Sequence, residues 1–313
     1  MKKLSYVVVI DRLDYFSGMN HSFHSLASIL HKLGEDVYTF GPGKPGYKYK
    51  LFQIEGFDPE TSVLPQITDI DLKLNNLDPE STVFITNLFG YPYLEQFKNR
   101  IVWMEEFDDT YEFNNDYLYF YHLEGYCRSG YKYEGPLRFF DMDTTFWYPT
   151  ASKPELNTFL VKKLYRKNVD VEKIVNDNLS QVAKYTSLPF KQLDDIAGLV
   201  NHIPGSYQSA RPIQRDLWSK SQFFVTFDQI TAQGVFAAMC GANSIIIPED
   251  DRYTPKAFRE LFYPYSSIGV AYGLNDLDHM YKTKNKVRQH CKEAYDVYVD
   301  DVRNMVKICQ DKF

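Results

Sequence analysis

Residues 4–10 form an apolar run that Asp11 and Arg12 break at once. A helical pattern follows, with Phe23, Leu26, Ala27, Leu30 and Leu33 on one face and Gly34 behind them. Apolar at almost every position, the run suits a strand covered on both sides, as in a parallel sheet. The face repeating at three and four residues suits a helix packed on that sheet, and Gly34 suits its C-terminal end. Residues 37–40 read as the next strand, closed by the turn Gly41-Pro42-Gly43. Residues 82–85, 101–104 and 117–121 read as further short strands. Strand, helix and strand in that order constrain the chain to an α/β fold with a parallel sheet.

The pattern then starts again. Tyr148-Pro149-Thr150-Ala151-Ser152-Lys153-Pro154 has two prolines and no periodicity, as a linker does. Beyond it, residues 158–161 read as a strand, 171–184 as a helix, 221–226 as a strand, 231–240 as a helix ending at Gly241, and 244–247 as a strand before Pro248. Residues 286–313 carry one more helical pattern. The expected architecture is therefore two Rossmann-like domains, 1–150 and 151–313. A chain of 313 residues is long enough for both cores. Ligands in such sheets sit beyond the carboxyl ends of the strands.

Charge separates the halves. Residues 1–150 hold 13 Lys and Arg against 22 Asp and Glu, a net of −9; the rest hold 22 against 19, a net of +3. The first half therefore lacks a nucleic-acid footprint, and the second is the better home for an anionic ligand. Four scattered cysteines without a C-x-x-C pair suggest neither a zinc site nor a disulfide framework. No apolar run approaches the roughly 18 residues of a membrane span, and a cytoplasmic setting is expected.

Chemistry concentrates at strand ends. Residues 223–248 read as strand, polar turn, small-residue helix and second strand. Thr231 stands near the helix start, where free N–H groups and the positive end of the dipole favour an anion. Ala232, Gly234, Ala237 and Ala238 would let that helix pack closely on the sheet; an ordinary crossover with a threonine cap fits the same residues. In the first half Asp11, Asp14, His21, His24, Glu105, Glu106 and Asp108 lie near strand ends. Glu105 stands just beyond 101–104, and His21 sits early in the helix after Ser17-Gly18, where the dipole would keep it neutral. Asp141-Met142-Asp143 has the form of a metal-binding D-x-D, but its place at the linker fits a capping or salt-bridging role better.

Thr226-Phe227-Asp228, Thr231-Ala232, Ala237-Ala238-Met239-Cys240-Gly241 and Pro248-Glu249 resemble the donor-binding stretch of GT-B glycosyltransferases. The bacterial and viral enzymes of that family share the pattern S-Y-D-x-x-T-A…E-A-A-x-C-G-C…P-E. Downstream, Ser267 to Asp276 is similar to the G-x-A-Y-G strand and turn of the same enzymes, and Ser17-Gly18 with Gly34-Glu35-Asp36-Val37 is similar to their opening. The resemblance implies two Rossmann-like domains facing a cleft, with a terminal helix that crosses back to the first domain. It implies sugar transfer, by a hexosyl- or pentosyltransferase, from a nucleotide-sugar donor to a saccharide acceptor. No metal or other cofactor is implied.

By the same resemblance, Lys162, Lys163 and Arg166 would neutralise the departing diphosphate, while Thr226, Asp228, Thr231 and Ala232 would line the donor site. Glu105, His21 or Asp11 would serve as the base, and Ser17 and Gly18 would form an acceptor or phosphate loop. One departure stands out: where the family carries a ribose-binding Glu, this chain has Phe236. Two other readings stay open, a phage-type enzyme acting on a hydroxymethylated DNA base and a catalytically inactive nucleotide-binding protein.

Overall fold

The computed structural model describes residues 3–10, 18–40, 66–67, 76–87, 94–105, 110–140, 142, 144–161, 164, 168–193, 206–265 and 268–313, with 18–21, 66–67 and 206–211 described by backbone alone. The chain divides into two compact units, one of residues 1–141 and 294–313 and the other of 142–293.

The first unit is built on a seven-stranded parallel sheet. Its strands are β1 (Ser5–Val9), β2 (Asp36–Phe40), β3 (Gln66–Ile67), β4 (Thr82–Thr86), β5 (Arg100–Met104), β6 (Leu118–Tyr121) and β7 (Gly135–Pro136), in the order β3-β2-β1-β4-β5-β6-β7. β1, β4 and β5 are buried along almost their whole length, which explains why their sequences show apolar runs instead of alternation. Helix α1 (Gly18–Lys32) lies on one face, where Phe23, Leu26, Ala27 and Leu30 join Tyr6, Val8, Ile101 and Trp103 in the core. It stops where the residue sequence predicts: the Gly34 N–H donates to His31 O and the Glu35 N–H to Leu30 O, with Gly34 at φ +85°.

The same face also carries the end of the terminal helix, so the chain returns to its first unit. Tyr298, Val302, Met305, Val306 and Cys309 bury against this core. Trp103 stacks near Tyr298 at 6.5 Å and donates its indole N–H to Leu137 O at 3.0 Å. Asp301 receives Arg138 in a two-pronged pair of 2.7 and 2.8 Å. On the opposite face, β5 and β6 are covered by an aromatic layer of Tyr111, Phe113, Tyr117, Tyr121 and Tyr133 around Val102, Met104 and Tyr119.

The second unit holds a five-stranded parallel sheet. Its strands are β8 (Leu156–Leu160), β9 (Phe190–Gln192), β10 (Ser221–Thr226), β11 (Asn243–Ile246) and β12 (Val270–Tyr272), in the order β12-β11-β10-β8-β9. Among the described residues five helices lie wholly within it: α2 (Val171–Val182), α3 (Ser206–Ser219), α4 (Gln233–Met239), α5 (Pro255–Leu261) and α6 (Leu277–Thr283). The terminal helix α7 (Val287–Lys312) starts in it. Both units are thus parallel sheets with flanking helices, an α/β architecture realised twice. α2 opens on Asp170, whose side chain accepts from the Lys173 N–H at 3.0 Å.

The boundary read from the prolines at 149 and 154 differs from the division into units. Residues 144–150 belong with the second unit, where Trp147 buries. Trp147 is fully buried and stacks on Phe236 at 4.4 Å, while Arg288 donates to the carbonyls of Thr144 and Trp147. α4 is also shorter than the expected 231–240. Thr231 stays in the preceding turn, its hydroxyl accepting the Gln233 N–H at 3.3 Å. β9, α3 and α5 have no counterpart in the sequence reading, since each is short or broken by polar residues and proline.

Candidate active site

Each sheet has one place where successive strands run off in opposite directions, and there the carboxyl ends of two strands open a crevice. In the first unit this lies between β1 and β4. Of the residues expected there, Asp11 and Ser17 lie outside the described residues. Gly18 is the first residue of α1, and His21 lies in its first turn with only its backbone described.

Glu105 is the expected acid that the structure places in full. It follows the last residue of β5, and the Ser22 hydroxyl of α1 donates to its Oε1. α1 packs on β1 and β2, and its Phe23 reaches Trp103 of β5 with ring centroids 5.1 Å apart. Ser22 escaped the sequence reading. Its signal was present all the same: Ser22, Ser25 and Ser28 recur at three-residue steps beside the apolar stripe of the helix, and all three are buried. Asn87, the residue after β4, is buried as well.

Two histidines near this edge are held neutral. Burial pushes His24 down from 6.5 to about 4, and His122 down to about 3. His122 follows β6 and accepts the Phe139 N–H at Nδ1 (3.0 Å). Because both values are lowered in the folded chain, unfolding takes up protons below pH 6.5. Stability is therefore greatest above about pH 6.5 and should fall as the pH drops towards 3–4, by up to about 1.4 kcal/mol per pH unit for each histidine. Urea unfolding across that range checks this. His122→Asn, which keeps an acceptor for the Phe139 N–H, should flatten the slope.

In the second unit the change of direction falls between β8 and β10. Lys162, Lys163 and Arg166, expected just beyond β8, lie outside the described residues, as do Asp141 and Asp143. The turn beyond β10 is well defined. Thr226 is buried, and its hydroxyl accepts the Asp228 N–H at 3.1 Å, which folds the chain back at once. Asp228 is buried too. The cap position of α4 is Ala232, which carries no side-chain hydrogen bond. Thr231 and Ala232 form the last part of the turn.

Phe236 answers the departure noted in the sequence. Its ring is buried, stacked on Trp147 at 4.4 Å and 19° and facing Trp218 at 6.3 Å. The position belongs to the core of this unit and not to its ligand edge, so nothing at Phe236 grips a ribose. Trp147 closes that face of the helix.

Two more loops reach the same edge. Beyond β11 come Ile247, Pro248 and the exposed Glu249, Asp250 and Asp251; beyond β12 come Gly273, Leu274, Asn275 and Asp276. Asp276 is buried. Its Oδ2 accepts both the Tyr272 N–H, at 3.0 Å, and Nη1 of Arg259. Among the described residues no group of three or more His, Cys, Asp or Glu side chains could hold a metal ion, and no helix is long and apolar enough to cross a membrane. All four cysteines are free thiols.

No protein-family model matches the chain, and no curated relative matches it. Solved structures with a similar chain course include an α-glucosyltransferase in complex with UDP and a 13-mer DNA containing a central A:G mismatch. It is 11% identical over 96% of this chain and 93% of that one, with a TM-score of 0.45. The same description with a DNA containing an HMU base gives 12% identity over 96% and 94%, and 0.45. The glycosyltransferase VinC in complex with dTDP is 12% identical over 98% and 99%, with a TM-score of 0.39. Likenesses of this size assign no residue and no activity to this chain.

Proposed function

We propose that this protein is a glycosyltransferase that moves a sugar from a nucleotide-sugar donor to a hydroxyl of a saccharide acceptor, without a metal ion. The observation that carries the reading is Glu105, a carboxylate set one residue beyond a fully buried strand and hydrogen-bonded to Ser22 of the overlying helix. A carboxylate so placed at the carboxyl edge of a parallel sheet has the geometry of a general base. Two parallel sheets, an acidic first half and a +3 second half suit separate acceptor and donor units.

In this reading the acceptor oxygen attacks the anomeric carbon as its proton passes to Glu105. The bond from that carbon to the diphosphate oxygen breaks, and the nucleoside diphosphate leaves with the electron pair. Lys162, Lys163 and Arg166 offset the charge on the leaving group. Thr226, Asp228, Thr231 and Ala232 shape the turn beside it. His21 and Asp11 are the alternative bases, and Ser17 and Gly18 are assigned to an acceptor or phosphate loop. Burial of Phe236 leaves the donor ribose to residues other than the family's glutamate.

A thermal-shift panel of UDP-, GDP-, dTDP- and CMP-sugars tests the reading. One nucleotide class should stabilise the chain, by about 2.7 kcal/mol at a hundredfold excess over Kd. No stabilisation by any of them would overturn it. A salt-sensitive band shift with hydroxymethylated duplex DNA would replace the saccharide acceptor by DNA.

A further inference from the structure

Three loops of the second unit end at the carboxyl edge of its sheet, and two of them are tied together. The tie starts at Asp276, in the turn after β12. One carboxylate oxygen takes the N–H of Tyr272, the last residue of that strand, at 3.0 Å, and also takes Nη1 of Arg259. Arg259 lies on α5, the helix that follows the neighbouring loop 247–254. Between these partners sits Gly273 at φ +77°, its N–H donating to Ile246 O at 2.8 Å. A Cβ there would lie 3.4 Å from the Pro248 ring, so the turn after β12 also leans on the loop after β11.

Packing alone already docks α5 on β12. Phe258 stacks on Tyr272 with ring centroids 4.0 Å apart and planes 16° apart. The ion pair beside that stack has side chains only 20% and 8% exposed, a setting in which the desolvation cost offsets most of the attraction. Its contribution is geometric. A guanidinium and a strand-end N–H converge on one oxygen, which leaves the turn a single conformation. At this edge, a turn fixed before a ligand arrives spares the ligand the cost of ordering it.

We propose that Asp276, held by Arg259, is a positioning residue that fixes the Gly273–Asn275 turn for binding a nucleoside diphosphate at the carboxyl edge of the second sheet. This rests on the donor reading above. Asp276 itself acts through the turn, which it joins to the loop after β11.

The test uses the full chain with UDP, GDP and dTDP as probes, titrated calorimetrically. Arg259→Gln removes the guanidinium and leaves Asp276 to accept the Tyr272 N–H. It should weaken binding of the preferred diphosphate about tenfold and speed amide exchange at Tyr272–Asn275; the unfolding midpoint falls as well, because the Asp276 carboxylate stays buried without its cation, so binding and exchange are measured where the variant is fully folded. Arg259→Lys should restore part of the affinity, and Asp276→Asn combined with Arg259→Gln should be no weaker than the worse single variant. Unchanged exchange in Arg259→Gln, or faster exchange with affinity within twofold of wild type, overturns the inference. If wild type binds none of the three diphosphates, the donor reading fails and this inference with it. Binding by wild type and by Arg259→Gln alike overturns the positioning role alone.

Discussion

Phe236→Glu should destabilise the second unit by about 3–5 kcal/mol or more, and it should not improve nucleotide binding. Truncating a buried aromatic costs that much on its own, and a carboxylate in the same space adds a desolvation cost. Phe236 has no solvent to turn to. Trp147 covers one face at 4.4 Å, Trp218 stands behind it, and Trp218 in turn meets Trp147 at 5.5 Å and Phe224 at 5.6 Å. Urea unfolding gives the loss, with Phe236→Leu as the milder comparison. A variant of unchanged stability that binds a nucleotide more tightly would put this side chain on the ligand edge instead. The glutamate matching the family pattern is thus predicted to do harm, because Trp147 covers the position and leaves a carboxylate no solvent.

The second large effect belongs to Glu105. Replacing it with Gln keeps its size and an oxygen for the Ser22 hydroxyl, but removes the capacity to take a proton. Transfer should fall by about 10²–10⁴-fold, while donor affinity and the unfolding midpoint stay near wild type. Single-turnover transfer with the sugar donor found in the nucleotide panel measures it. Ser22→Ala should have a smaller effect in the same direction, because Ser22 only orients the carboxylate. Turnover at the wild-type rate in Glu105→Gln would remove this residue from the reaction.

Much of the architecture was legible from local pattern. The apolar runs that become β1, β4, β5 and β10 are visible because a strand buried on both faces has no polar side to interrupt it. α1 could be read to its last turn, since its buried stripe and Gly34 follow from helical periodicity and from the left-handed residue that ends it. The short pieces were not legible. β9 has three residues of intermediate or exposed character, and α5 owes its place to Phe258 and Arg259 meeting β12 and Asp276, partners 14 and 17 residues away in sequence.

Of the candidate site, the sequence supplied the acid at the end of β5 and the turn after β10, because strand ends can be found from strand patterns. It did not supply Ser22, which gains meaning only when α1 brings it to Glu105. Nor did it show that Thr226 spends its hydroxyl on the turn, or that the helix begins at Gln233 with its N–H on the Thr231 hydroxyl.

The sequence by itself determined two α/β halves and their unequal charge, since both are written in composition and short-range periodicity. Only the tertiary structure decided the ownership of residues 144–150 and the burial of Phe236. Each depends on which distant surface a side chain covers. That choice is made by packing between elements, and no window of neighbouring residues contains it.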